Sequence, residues 1–325
     1  MSFKAIIDVD VIKYSAAAVG EKRTIIVHHP ASGRAIEFAN RTAFYGANKK
    51  GGWLAERNAK RTSPFEIDEF IIEDVQTPEP LENALYTAKR TMERFLAMAG
   101  TKDYTGYVGV GDCFRVEKSK VLKYKGNRKD LLKPIHLDDI TDYLIKKHGA
   151  IEVSGIEADD QCVIDCFGND NVLVGIDKDY FGCPVNYLNS TLGTVINCDQ
   201  FGELRLNEKG KVKGYGRIFQ YFQLASGDSI DNYKANSASS IKWAEKGAYN
   251  VLKNCKTDAE AWKALVDIYQ MLYPEPTTVT GWRGDLIEID WYSMLQENYD
   301  MARMLTHPND YDVQVKTKLQ EYGVL

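Results

Sequence analysis

The sequence predicts an α/β protein with a mostly parallel central sheet flanked by helices and an α-rich C-terminal part. Three observations lead there. First, Lys4 to Val9 (KAIIDV), Tyr104 to Val110 (YTGYVGV) and Asn171 to Ile176 (NVLVGI) are short apolar runs that each lead into acids. Runs of this kind read as strands buried on both faces. Second, helical spacing falls between them: Leu81, Leu85, Ala88, Met92, Phe95 and Leu96 follow Pro80, and Ala158, Cys162, Val163, Cys166 and Phe167 follow Gly155. Third, strand and helix alternate through the first two hundred residues, the pattern of a parallel sheet covered on both faces.

Each element has its own warrant. Thr24 to Asn40, with the turn Pro30-Ala31-Ser32-Gly33, reads as a β-hairpin inserted after the first strand and helix, followed by an irregular glycine-containing stretch near Gly51. From about Ile218 the pattern turns helical, with Ala259 to Leu272 and Trp291 to Leu305 the clearest segments. The expected division is a core over 1–217, carrying the insertion at about 20–60 and a basic segment at about 113–149, then an α-rich part over 218–325.

A chain of 325 residues with 44% hydrophobic composition can bury a proper core. No stretch reaches membrane-span length, and MSFKAIIDVD places acids where a signal peptide needs an apolar segment, so a cytoplasmic protein is expected. The six cysteines form no CxxC pair and no Cys/His zinc spacing, and read as reduced, buried thiols. The five histidines make no metal pattern; His28-His29 reads as a strand end.

The stretch SGIEADDQCVIDC (Ser154 to Cys166) opens an apolar helix with Glu157, Asp159 and Asp160. Acids in a first turn oppose the positive end of the helix dipole, but Glu157 and Asp160 share one face and repel unless a cation lies between them. In a parallel sheet the carboxyl ends of the strands face one crevice. Asp8, Asp112 and Asp177-Lys178-Asp179 therefore converge with this cluster, and a divalent metal is the simplest reason for them. The formal charge of −5 is an average that these acids dominate; the rest of the chain is mildly basic.

Between Cys113 and Lys133 (CFRVEKSKVLKYKGNRKDLLK) eight Lys or Arg stand against two acids. A solvated charged helix explains many such runs. Placed beside clustered carboxylates, it suits a polyanion gripped by metal on one side and cations on the other, as a phosphodiester would be. Lys118, Lys120, Lys123 and Lys129 are candidate nucleic-acid contacts. Tyr124 and Phe114 offer stacking on unpaired bases, with packing the competing reading.

In this order IIDVD, GDCFR, YKGNR, GIEADD, GIDKD and GDSIDN resemble the 5′-nuclease superfamily: flap endonucleases, the 5′-3′ exonuclease domain of bacterial DNA polymerase I, and bacteriophage 5′-exonucleases. The match covers roughly residues 4–12 and 104–255, and FRVE followed by YKGNR points to the phage members; MARMLTHP resembles the end of some phage enzymes. The resemblance implies a PIN-like fold and two-metal phosphodiester hydrolysis with two Mg²⁺ or Mn²⁺ ions. It assigns Asp8, Asp112, Glu157, Asp159 and Asp160 to one metal site and Asp177, Asp179, Asp228 and Asp231 to the other. Asp10 is an extra acid, either a support for the ligands or a strand-end residue. The basic stretch corresponds to a helical arch admitting a single-stranded 5′ end, with Lys125 and Arg128 as catalytic cations and Arg115 as a further phosphate contact.

After GDSIDN the family has a glycine-rich helix-hairpin-helix; here NYKANSASSIKWAEKGAYNVL keeps the helical half and lacks the preceding glycines. Duplex contact through Lys242 and Lys246 is expected from a degenerate motif over about 228–255. The implied partners are DNA with a 5′ end, flap or gap, or the RNA strand of a hybrid, together with replication proteins, for a monomer acting in phage replication or recombination. Two rivals stand beside this reading. A haloacid-dehalogenase-like phosphatase shares the D-x-D of IIDVD, but Val11 follows where that family has a small turn residue, and GIEADD is left unexplained. A catalytically inactive nucleic-acid-binding relative would keep the acids only at a cost to stability.

Overall fold

The computed structural model describes residues 3–129 and 131–325. In chain order it begins with β1 (Ala5–Asp8), α1 (Val9–Val19), β2 (Glu21–His29), β3 (Arg34–Phe38), α2 (Arg41–Tyr45), α3 (Gly52–Asn58), β4 (Ile71–Pro78) and α4 (Leu81–Ala99). Next come β5 (Tyr104–Cys113), α5 (Phe114–Lys118), α6 (Leu137–His148), β6 (Ile151–Gly155), α7 (Ala158–Cys166), β7 (Val172–Gly175), β8 (Asn186–Asn189) and β9 (Thr194–Asn197). The remainder holds β10 (Glu203–Leu206), β11 (Val212–Tyr215), α8 (Arg217–Ser226), α9 (Glu245–Leu252), α10 (Asp258–Leu272), β12 (Thr277–Thr280), β13 (Leu286–Ile289), α11 (Trp291–Ala302) and α12 (Val315–Glu321). Two compact units result. One takes residues up to Ile12, Thr91–Leu132 and Leu144–Leu325; the other takes Lys13–Arg90 and Lys133–Tyr143.

The first unit is built on a six-stranded sheet of order β6-β5-β1-β7-β8-β9, parallel except for the β8–β9 pair. This is the α/β class expected from the apolar runs. Ile6, Ile7, Val108, Leu173 and Val174 are fully buried because β1, β5 and β7 are internal strands with no solvent face. Successive connections run to opposite sides of β1, and such a reversal opens a crevice at the carboxyl ends of the strands. Asp8, the last residue of β1, lies there opposite Tyr107 of β5.

The C-terminal helices belong to this same unit, so its boundary does not fall at 217/218. Phe222 of α8, Trp262, Leu265 and Tyr269 of α10 and Leu295 of α11 share one apolar core. The buried Tyr269 hydroxyl there is paired on both sides: it donates to the Leu224 carbonyl at 2.8 Å and accepts from the Asn298 amide at 2.7 Å. The β12–β13 hairpin interrupts the helices. The β-branched run Thr277-Thr278-Val279-Thr280 explains its strand character.

The second unit carries the inserted hairpin. β2 pairs with β3 across a turn closed by Gly33 at φ 65°, and β4 adds on the other side of β2 to give three antiparallel strands. β4 escaped the sequence reading because Glu73 and Asp74 break its apolar alternation. Ile25 and Val27 pack against Phe44 and Leu54 in a small core of its own.

Candidate active site

α7 explains the acidic opening of its helix. Glu157 is the cap residue in extended conformation, and Glu157 and Asp160 form a reciprocal capping box in which Asp160 accepts the Glu157 amide at 3.1 Å. Asp160 does more than cap. It is fully buried, and its two oxygens receive the Arg115 guanidinium at 2.6 and 2.7 Å and the Leu305 amide at 3.0 Å. The remaining Arg115 donors go to Glu157 at 3.0 Å and to the carbonyls of Met301 at 3.2 Å and Arg303 at 2.6 Å.

Arg115 thus has no face left for a phosphate, against the expectation drawn from sequence, because a guanidinium 1% exposed has spent its donors inside the protein. Its companions Met301, Arg303 and Leu305 explain why MARMLTHP is present at all: that segment closes over the buried pair. Tyr124 is likewise interior, 4% exposed, with its hydroxyl donating to Glu157 at 2.7 Å; it supports a carboxylate and offers no open ring to a base.

Glu157, Asp159 and Asp160 offer carboxylate oxygens within 4.8 Å of one another. Acids at Asp8, Asp179 and Asp231 have their carboxyls raised by burial and by neighbouring carboxylates. Burial first, then Asp10 and Asp177, raise the Asp8 carboxyl to about 7, although the Tyr180 hydroxyl at 3.1 Å opposes this. Burial, with Glu157 and Asp160, lifts Asp159 well above its ordinary range. Asp179 rises to about 6 through burial and Asp177, and Asp231 rises through burial and Glu157. Two members go the other way: burial would raise Glu157 and Asp228, but Arg115 and Lys125 hold Glu157 down and Lys178 holds Asp228 down.

The cations interleave with these acids. Lys125 pairs with Glu157 and stands 3.9 Å from Asp231; Arg128 meets Asp231 at 2.9 Å. Burial would lower Lys125, yet Glu157 and then Asp231 raise it, so its charge is secure. Both residues sit on a clasp between YKGNR and residues 229–232. The Lys125 amide donates to the Asp231 carbonyl at 3.0 Å, Asn127 to that of Ser229 at 2.7 Å, and Asn232 back to that of Lys123 at 2.9 Å. Lys125 itself adopts φ 53° to make this turn.

The segment 113–149 is less helical than the arch expected. It contains the five-residue α5, a 3₁₀ turn at Gly126–Arg128, and α6 at its end. The clasp and the two amides that Lys120 and Val121 donate to Glu297, at 2.8 and 2.9 Å, hold its middle in irregular backbone.

Other expected residues scatter. Asp112 is exposed near the end of β5, within the irregular stretch where the register shifts between Gly109 and Cys113. Lys118 pairs with Asp312, Lys123 lies over the Trp282 ring at 5.2 Å, and Lys120, Lys129, Lys242 and Lys246 are exposed. Residues 228–244 are turns rather than a helix, and only α9 keeps the helical half of the degenerate motif. Asp10 caps inward, accepting the Gly109 amide at 3.2 Å, while its own amide donates to Asp8 at 3.0 Å.

Three supporting residues were not anticipated. Lys178, read from sequence as surface charge, bridges Asp179 at 2.9 Å and Asp228 at 2.5 Å; Gln223 donates to Asp179 at 2.5 Å; Tyr180 donates to Asp8. Lys178 lay in plain view between two aspartates. Gln223 and Tyr180 carried no signal.

No family model matches this sequence and no curated protein does. Among solved structures, a T5 protein co-crystallised with metal ions aligns over 99% of this chain and all of its own, at 14% identity and TM-score 0.46. A mutant of the T5 5′-exonuclease aligns over 70% of this chain and 83% of its own, at 14% identity and TM-score 0.41.

The residues fit a hard divalent cation. The available donors are carboxylate oxygens without Cys or His, which is the set Mg²⁺ and Mn²⁺ select. Burial and the neighbouring acids raise the Asp8 and Asp159 carboxyls, the direction expected where carboxylates crowd together.

Proposed function

We propose that the protein is a divalent-metal-dependent nuclease that hydrolyses phosphodiester bonds at or near the 5′ ends of DNA. One observation carries the reading: crowded, mostly buried or half-buried carboxylates at the carboxyl ends of β1 and β7, at the start of α7 and at Asp228 and Asp231 are interleaved with the cations Lys125 and Arg128. Asp8, Glu157 and Asp159 would hold one ion, and Asp177, Asp179, Asp228 and Asp231 the other, with Asp112 assigned to the first by sequence pattern alone. When bound, Mg²⁺ or Mn²⁺ supplies Lewis-acid polarisation of the phosphodiester and neutralises developing charge.

The protein's own residues then divide the work. Lys125 and Arg128 stabilise charge on the scissile phosphate, their donors re-aimed from Glu157 and Asp231. Asp160 acts through Arg115, which braces Glu157 in place. Lys178 and Gln223 keep Asp179 and Asp228 oriented, and Tyr180 keeps Asp8. The sequence resemblance supports the finer part of the reading: a structure-selective 5′-3′ exonuclease or flap endonuclease, acting on a flap, a gap or a hybrid's RNA strand during phage DNA replication. Lys242 and Lys246 are its proposed duplex contacts.

The test is cleavage of a 5′-labelled duplex bearing a single-stranded 5′ arm, with and without Mg²⁺, beside Asp177→Asn. Metal-dependent release of short 5′ products by the natural chain alone is expected. Retained binding without cleavage in Mg²⁺ would replace this reading with the inactive binding protein.

A further inference from the structure

The second unit contains a cavity of about 400 Å³ whose lining has no acidic residue. Its walls are aromatic: Trp53, Phe65, Phe70 and Phe38, with the His29 ring 5.0 Å edge-on from Phe65. Its rim is cationic: Arg34, Arg57, Lys60 and Arg61 all line it and all are exposed. None of these four has an ion-pair partner among the described residues, whereas Arg41 of the same unit is held by Asp74 at 2.7 Å. Two of the guanidiniums are instead arranged by rings, Arg61 lying 3.8 Å from the Phe65 centroid and Arg57 5.5 Å from that of Trp53.

The glycines near Gly51 account for the placement of Trp53. Gly46 at φ 76° and Gly52 at φ 67° pack backbone against backbone. A Cβ on Gly46 would fall 2.7 Å from the Gly51 backbone, and one on Gly52 would fall 2.6 Å from the Gly46 nitrogen. This loop therefore delivers Trp53 in the first turn of α3 with its ring half-buried between Phe38 and Phe70, at 5.6 and 6.5 Å. A rigid aromatic slot under unpaired cations is suited to a planar group attached to an anion.

We propose that this cavity binds a nucleobase of single-stranded nucleic acid, with the flanking phosphates held by Arg34, Arg57 and Arg61. Every base has a π-face, so aromatic stacking with a cationic rim captures an unpaired strand without selecting its sequence. A duplex hides its bases and does not fit. The choice of a strand over a free nucleotide rests on the nuclease reading; the aromatic and cationic chemistry does not.

The test is binding, in EDTA, of a fluorescent oligothymidine to the full chain carrying Asp177→Asn, so that neither metal nor cleavage enters. Arg57→Glu with Arg61→Glu, both exposed, should weaken binding about tenfold or more. Lys125→Ala with Arg128→Ala, at the acidic site, provides the comparison. A 5-iodouridine oligomer should crosslink to the peptide spanning residues 53–65. Unchanged affinity in the double reversal, crosslinks confined to other peptides, or competition by dTMP as strong as by the oligomer would each overturn the proposal. Absence of cleavage by the natural chain in Mg²⁺, with binding and crosslinking intact, would sink the nuclease reading and leave this site standing.

Discussion

The acidic site of the first unit and the aromatic cavity of the second solve opposite physical problems. In the first, carboxylates crowd at strand ends so that burial and neighbouring acids raise Asp8 and Asp159, and each nearby cation is already committed to an acid. In the second, the cations have no acids and the space between them is lined by rings. Crowded carboxylates leave negative charge that a cation could relieve. Unpaired cations leave positive charge that an anion could relieve. The contrast teaches that unneutralised charge, more than charge itself, marks where each ligand class belongs.

The comparison breaks most readily at Asp177. Its replacement by Asn should lower cleavage by about a thousandfold or more while leaving the unfolding midpoint within a degree or two, since the residue is exposed; wild-type turnover would remove the second metal site from the account. Next in size is Arg115→Met, which leaves Asp160 buried without its partner. A loss of about 3–5 kcal/mol in urea unfolding is expected, and a loss under 1 kcal/mol would show that the buried pair adds little to stability. Lys125→Ala with Arg128→Ala should reduce the cleavage rate about a hundredfold. The oligomer affinity in EDTA should change little if the cavity of the second unit carries the strand.

Two smaller effects sharpen the electrostatics. Because the folded chain holds a proton on Asp8 up to about pH 7, metal binding must release it. Apparent Mg²⁺ affinity should therefore rise between pH 6 and 8, and calorimetry in buffers of different ionisation enthalpy should register proton release; pH-independent affinity would contradict the assignment of Asp8. Asp300 offers a control outside both sites. Burial raises its carboxyl to about 6, so the native state binds the proton more tightly than the unfolded chain does. The stability it contributes is complete below its ordinary pKa and is lost as pH rises through about 6. Asp300→Asn should thus stabilise at pH 8 relative to pH 4, by at most about 2–3 kcal/mol.

Much of the first unit was legible because its signals are local. An apolar run between acids announces a buried parallel strand, and β1, β5 and β7 fall where those runs lie. The crowding of Glu157, Asp159 and Asp160 could be read from helix periodicity. The role of Arg115 could not. FRVE looks like an exposed basic turn, and only a segment 186 residues downstream, whose Met301 carbonyl accepts from it, turns it inward. The cavity of the second unit was equally hidden. Trp53, Phe65 and Phe38 have no common period, and three glycines with positive φ set their meeting point.

By itself the sequence determined which residues carry charge, which runs must be buried and, through strand-end acids, where carboxylates that could hold a cation gather. Those are properties of single segments and of elementary electrostatics. Tertiary structure alone decided which charges neutralise one another: Lys178 with Asp228, Arg115 with Asp160, and Arg57 and Arg61 with no acid at all. The reason is physical. A Coulomb interaction depends on separation and local dielectric, and both are fixed only when distant segments pack.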